Sequence, residues 1–352
     1  MFAMPTNRTT APSKEPLNSS PTTVLNDISG LIDKGDWKLA LTKLDAFQQA
    51  TPRTIETRPV IAMVHLLRAR AFLHLGEITK AWAESDRAIS LAKEAMEPAI
   101  EAEAQCVIAN IHWKKGELDK ALTILVKALD NAKRSKDERV LGIVSLETAA
   151  VHSKKNDFDS AEREYRDAIL ALEKVGDQRQ LARAYNNFAH VFVYQGQWQK
   201  AEEMFLKCRR LSEKAGFMSI AAWAAFNRAE ALFELLRVDE AKKELDWAMP
   251  VLERLGDLHG QVIANGLYCI VYAKGGNFTK AEEHIGKAES LAVKLELSSL
   301  KGRLLFQRAL LHKFKGERSK AVKLFKEAKE LFTKQGNLSE VTRIDKELKA
   351  LT

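Results

Sequence analysis

The chain has 352 residues, of which 46% are hydrophobic and 29% charged, and carries a formal net charge of +8. No apolar run approaches the roughly 18–20 residues of a membrane span, and three cysteines without CxxC or other ligand spacing, Cys106, Cys208 and Cys269, argue against a disulfide framework. The positive charge sits at one end: Lys301 to Thr352 holds 14 basic against 6 acidic residues, whereas Pro21 to Leu300 holds 39 against 40.

Residues 1–20 place Pro5, Pro12 and Pro16 among Ser, Thr and Asn with little to bury, the composition of a disordered tail. Because the first 30 residues lack a basic segment followed by an apolar one, a cytoplasmic protein is expected. Pro21 opens a helix with Val24, Leu25, Ile28 and Leu31 at helical spacing up to Lys34, just before Gly35. A second helix is expected from about Lys38 to Gln49, where Thr51-Pro52 stops it.

From about Arg58 the pattern becomes helix, turn, helix, repeated. The hexad Gly196-Gln197-Trp198-Gln199-Lys200-Ala201 returns at Gly76, Gly116, Gly276 and Gly316, and without its glycine at Asn156 and Leu236, always in a 40-residue register; an eighth copy starts at Gly35, 41 residues before Gly76. In the unit around Gly196 the first helix spans Gln178 to Tyr194, with Leu181, Tyr185, Phe188, Ala189 and Phe192 on one stripe. The second helix, running to about Ala215, buries Trp198, Ala201, Phe205 and Cys208. Gly176, Gly216, Gly256 and Gly336 follow second helices in the same register, as left-handed caps. Lys136 and Glu296 replace that glycine and should cap less well, and Pro250 should bend or tighten its helix. After the last unit, Leu338, Val341, Ile344 and Leu348 form the single apolar face of a capping helix over residues 338–352.

Three columns admit nothing larger than cysteine. They are Ala69, Ala109, Ala149, Ala189, Ala229, Cys269 and Ala309; Ala81, Ala121, Ala161, Ala201, Ala241, Ala281 and Ala321; and Ala88, Ala128, Ala168, Cys208, Ala248, Ala288 and Ala328. A column that excludes Leu and Val inside a buried stripe marks helices packed at short interaxial distance.

The small residue, an aromatic or His three positions on, the G-x-aromatic-x-x-A hexad, and then aromatic and Ala resemble the tetratricopeptide repeat over about Pro21 to Leu331. That resemblance implies an all-α, right-handed solenoid of eight helix pairs over residues 21–337 with a C-terminal capping helix. The unit here is 40 residues rather than about 34, lacks the closing proline, and is expected to have lengthened helices, as in the branch that includes G-protein-regulator scaffolds and bacterial peptide-sensing regulators.

No zinc-protease, phosphate-loop or nucleophile motif is present, and no enzyme activity, cofactor or metal is expected. His112, His152 and His312 share a column with Phe72, Phe192 and Tyr272, which reads as packing. Function is expected on the first helix of each unit, on the face that the family turns into a concave groove, at positions three before and one, four and five after the first small-residue column. The candidate residues there are Arg70, Asn110, Trp113, Lys114, Asn186, His190, Tyr194, Phe226, Glu230, Phe233, Lys274, Phe306 and Lys313. Asn187 and Asn227 resemble the peptide-backbone-binding asparagines of the longer-repeat branch. Trp113, Tyr194, Phe226, Phe233, Phe306 and Phe314 are large apolar groups that either a partner or a neighbouring unit must cover.

The implied ligand is a peptide or helix of a partner protein, bound by a scaffold or adaptor; a peptide-sensing regulator is the first alternative. The family's carboxylate clamp is not matched, since Cys106 stands where Lys is needed and Glu147 where the second Asn is needed. Lys320, Lys323, Lys326 and Lys329, interleaved with Glu327 and Glu330, read as a solvated face, with nucleic acid or an acidic partner as the second alternative.

Overall fold

A computed structural model describes residues 20–295 and 300–351; the proposed disordered tail and the Glu296 turn lie outside them, apart from Ser20. The described residues contain seventeen α-helices in two compact units, one ending at Asp137 and one beginning at Glu138.

The first unit comprises α1 (Pro21–Lys34), α2 (Trp37–Ala50), α3 (Arg58–His74), α4 (Ile78–Glu94), α5 (Pro98–Lys114) and α6 (Leu118–Ser135). Its helices pack as neighbouring pairs, α3 on α4 and α5 on α6, with α3 also against α5. Leu25, Ile28, Ile32, Ala40 and Leu44 bury the first pair against Val64 and Leu67 of α3. The irregular first repeat, in which Ile28 takes a small-residue position, thus still closes a core.

The second unit comprises α7 (Glu138–Lys154), α8 (Phe158–Val175), α9 (Gln178–Tyr194), α10 (Trp198–Lys214), α11 (Met218–Glu234) and α12 (Val238–Arg254). It continues with α13 (Leu258–Lys274), α14 (Phe278–Lys294), α15 (Lys301–Phe314), α16 (Arg318–Lys334) and α17 (Leu338–Leu351). Odd-numbered helices stack in sequence, α7 on α9, α9 on α11, α11 on α13 and α13 on α15, and each packs on the even-numbered helix that follows it; α17 packs on α16.

The cause of this regularity is visible in the columns. Every alanine and cysteine of the three small-residue columns is at most 1% exposed, so the volume limit inferred from sequence is the contact surface between helices. Every turn between paired helices is built alike: Gly196 has φ of +69°, its N–H donates to the Val193 carbonyl at 3.0 Å, and Gln197 N–H donates to Phe192 at 2.8 Å. Asn156 and Leu236 adopt the same left-handed backbone at φ of +61° and +62°, and Lys136 caps α6 at +58°. These side chains carry a strain of roughly 1–2 kcal/mol that glycine avoids. Pro250 does not interrupt α12, which runs through it from Val238 to Arg254.

The histidine column does more than pack. His112 Nδ1 donates to Glu117 at 2.6 Å, His312 to Glu317 at 2.7 Å and His152 to Asp157 at 3.0 Å, each across the turn that joins the paired helices. Where the column is aromatic, a lysine eight residues on covers the ring instead: Lys80 over Phe72 at 5.3 Å, Lys200 over Phe192 at 5.4 Å and Lys280 over Tyr272 at 5.3 Å.

Candidate functional site

The odd-numbered helices carry the sequence-derived candidates, and the structure separates those at the surface from those in the core. Phe226, Phe233 and Phe306 are corrections: at 1%, 8% and 3% exposure they belong to the apolar core of the second unit. The reason is geometric. Leu66, Cys106, Leu146, Phe226 and Phe306, each three positions before the small residue, are all buried, and Phe226 and Phe306 share one apolar core with Phe233. The position five after is the open one: His74, Lys114, Lys154, Tyr194 and Lys274 are exposed.

In the first unit, Arg70 donates to Asp33 at 3.2 Å, and the Lys114 ammonium reaches the Leu73 carbonyl at 3.3 Å. Asn110 and Trp113 are half-buried beside them, and the buried Trp113 indole N–H has no acceptor.

In the second unit, α9 and α11 bring three asparagines together. Asn227 Nδ2 donates to Asn186 Oδ1, and Asn186 Nδ2 to Asn187 Oδ1, each at 3.3 Å. All three are half-buried, and Tyr194, two turns further along α9, is 47% exposed and stacks on Phe158 at 6.3 Å between centroids. Lys274 lies over the Phe314 ring at 5.2 Å, and Lys313 is paired with Glu347 of α17 at 2.5 Å.

One turn deeper lies a charge cluster that sequence reading only touched, through Glu230 and His190. Glu230 accepts from Arg303 of α15 and Arg343 of α17, both at 2.9 Å. Arg343 also pairs with Glu234, and with Glu340 at 3.6 Å. Its guanidinium lies 4.7 Å from the Phe306 centroid and 5.8 Å from that of Trp198. Burial opposes ionisation of Glu230, but Arg303 and Arg343 together outweigh it and push the carboxyl down to about 2. Glu340 is raised, because burial and the Glu230 and Glu234 charges prevail over Arg343 and Arg303. His190, packed edge-on against Phe205 at 5.2 Å, is depressed to about 4 by burial despite the attraction of Glu230. Arg303 was missed because it stands six positions before the small residue Ala309, one turn outside the positions considered, and Arg343, one 40-residue period on, because it lies on the capping helix.

Cys106, Cys208 and Cys269 are buried free thiols, and burial raises Cys208 and Cys269 to about 12, which makes them packing groups rather than nucleophiles. No group of three or more potential ligands poised to hold a metal ion occurs among the described residues, nor does a helix long and apolar enough to cross a membrane. On α16, Lys320 is paired with Glu317 at 2.9 Å and Lys329 with Asp345 at 2.5 Å, while Lys323 and Lys326 are exposed.

Residues 62–226 match the family model described as a MalT-like TPR region. No curated protein matches the sequence. Among solved structures, the apo form of RapI superposes with a TM-score of 0.65 at 17% identity, covering 94% of this chain and 97% of that one. A Rap protein complexed with competence and sporulation factor gives 0.61 at 14%, covering 94% and 97%. The apo form of the quorum sensor NprR from B. thuringiensis gives 0.59 at 14%, covering 94% and 98%. At these identities the likeness is one of fold.

Proposed function

Since the chain is a tetratricopeptide-repeat protein, we propose that it is a non-enzymatic adaptor that binds a peptide or helix of a partner protein along its odd-numbered helices. The observation that carries this reading is the asparagine chain Asn187, Asn186 and Asn227. Each amide offers two donors and an acceptor with two lone pairs, more than two mutual bonds consume. Those bonds, at 3.3 Å, are at the weak end of the range and exchange readily for a ligand's main-chain groups. Exposed Tyr194 supplies an amphipathic anchor on the same helix. In the first unit, Arg70, Asn110, Trp113 and Lys114 form a second patch of the same kind.

The test is affinity capture from the native cell with the parent and an Asn186→Ala, Asn227→Ala variant of unchanged helicity. A partner retained by the parent and lost from the variant supports the reading; equal retention overturns it. A peptide-sensing regulator is the second reading, favoured by the likeness to a Rap protein solved with competence and sporulation factor and to the NprR quorum sensor. It differs in requiring a short free peptide as the captured species.

A further inference from the structure

The C-terminal helix α17 is anchored differently from the helices it follows. The helix α15, of the same 14-residue length, buries seven residues, among them Leu304, Phe306, Ala309 and Leu311, whereas α17 fully buries only Ile344. Val341, Leu348 and Leu351 pack half-buried on the same core, and polar contacts add to them: Arg343 on Glu230 and Glu234, Glu347 on Lys313, and Asp345 on Lys329. Through Arg343 it reaches α11, 109 and 113 residues back in the chain, and covers Glu234 and Glu230, the second of which acts on His190.

The pairing in that cluster depends on α17 as well. With α17 docked, Glu230, Glu234 and Glu340 face Arg303 and Arg343. With α17 lifted, Arg343 and Glu340 leave together, two carboxylates remain beside one guanidinium, and the rings of Trp198 and Phe306 lose the cation that lies over them. The helix therefore hides this stretch of α11 and gives Glu230 and Glu234 a second guanidinium, while the formal charge of the cluster stays at one net negative in either state.

We propose that α17 is an autoinhibitory latch, pinned to α11 by the Arg343 cluster, which must lift before a ligand of the odd-numbered helices reaches Glu230, Glu234 and His190. The proposal rests on those helices being the binding face. Binding there is weakened by the fraction of molecules in which α17 is docked, so loosening the latch strengthens binding without adding a contact to the ligand.

The test uses the full chain and two readouts. In native-state hydrogen exchange, the amides of 338–351 exchange at least about tenfold faster than those of 318–334 in the parent, and faster again in Arg343→Gln, while Arg343→Lys, which keeps the charge, stays nearer the parent. A dye-labelled synthetic peptide of residues 338–351 gains at least about tenfold in affinity for Arg343→Gln over the parent, because the vacated place accepts it in trans. Exchange of α17 in step with α16 in the parent, or equal peptide affinity for parent and Arg343→Gln, overturns the latch. Should Arg343→Gln fail to fold, the parent exchange rates alone decide. The asparagine variants test the binding face itself and leave Arg343 untouched, so loss of either proposal leaves the other separately measurable.

Discussion

His112 and Glu117 bond at 2.6 Å across the turn between α5 and α6, and His312 and Glu317 repeat the arrangement at 2.7 Å two hundred residues later. The bond joins the last turn of one helix to the residue that caps the next, across a turn whose backbone bonds are the same where the column holds an aromatic residue instead.

Glu117 accepts from His112 and from Lys120 at 3.0 Å, and these two partners, the histidine first, hold its carboxyl below the usual value of 4.5. A depressed carboxyl contributes stability above its unfolded pKa, and that contribution is lost as pH falls through the folded value. In His112→Phe the Glu117 carboxyl should titrate closer to 4.5, with Lys120 retaining part of the shift. Carbon-13 carboxylate titration by NMR measures this directly, and an unmoved Glu117 would exclude the histidine as the cause.

Ala189 is fully buried where α9 meets α10, among Phe188, Phe192 and Phe205. Ala189→Leu adds three carbons to a packed contact and should cost about 1–3 kcal/mol. Urea denaturation checks it, and a midpoint equal to that of the parent would show that the column tolerates volume.

Gly142, inside α7, separates two competing effects. Alanine in a helix interior ordinarily gains about 0.5–1 kcal/mol over glycine. Here a Cβ would stand 2.7 Å from the Leu172 Cγ and 3.3 Å from the Ala168 carbonyl oxygen, and overpacking costs about 1–3 kcal/mol. Gly142→Ala should therefore be net destabilising, and although Leu172→Ala is itself costly, the further loss from Gly142→Ala should be smaller in that background when the double-variant cycle is measured by urea denaturation.

The depressed His190 predicts an acid limb in the stability curve. Between its ordinary value of 6.5 and about 4, the unfolded imidazole binds a proton that the folded one refuses. Stability should thus fall as pH drops through that window and be unaffected by His190 above it. The difference in denaturation free energy between the parent and His190→Phe should change between pH 7 and pH 4.5, the parent losing more; a constant difference would contradict the burial of a neutral ring.

Much of the fold was legible because a 40-residue period repeats every constraint. Gln178 to Tyr194 is α9 to the residue, and the volume limit on Ala69 through Ala328 is the helix contact itself. The candidate face was legible only in part. Sequence spacing identifies which residues share a helix face, but the packing of neighbouring helices decides whether that face is covered, and Phe226, Phe233 and Phe306 are buried in one shared core. Periodicity also relates a residue to its copies rather than to its partners, so the pairing of Glu230 with Arg303 and Arg343, 73 and 113 residues away, left no trace in the pattern. The histidine clamps lay in between: a carboxylate five residues after His112, His152 and His312 was readable, had the column not been taken as packing alone.

The convergence of Arg303 and Arg343 on Glu230 turns the cluster into a ruler. Insertion or deletion of one whole unit between α11 and α17 would preserve every helix pair contact, because the repeats are interchangeable as packing elements. It would nonetheless carry Arg343 past its carboxylates. Repeat number in this stretch is thereby set by a few charged side chains rather than by the apolar core, which by itself cannot count.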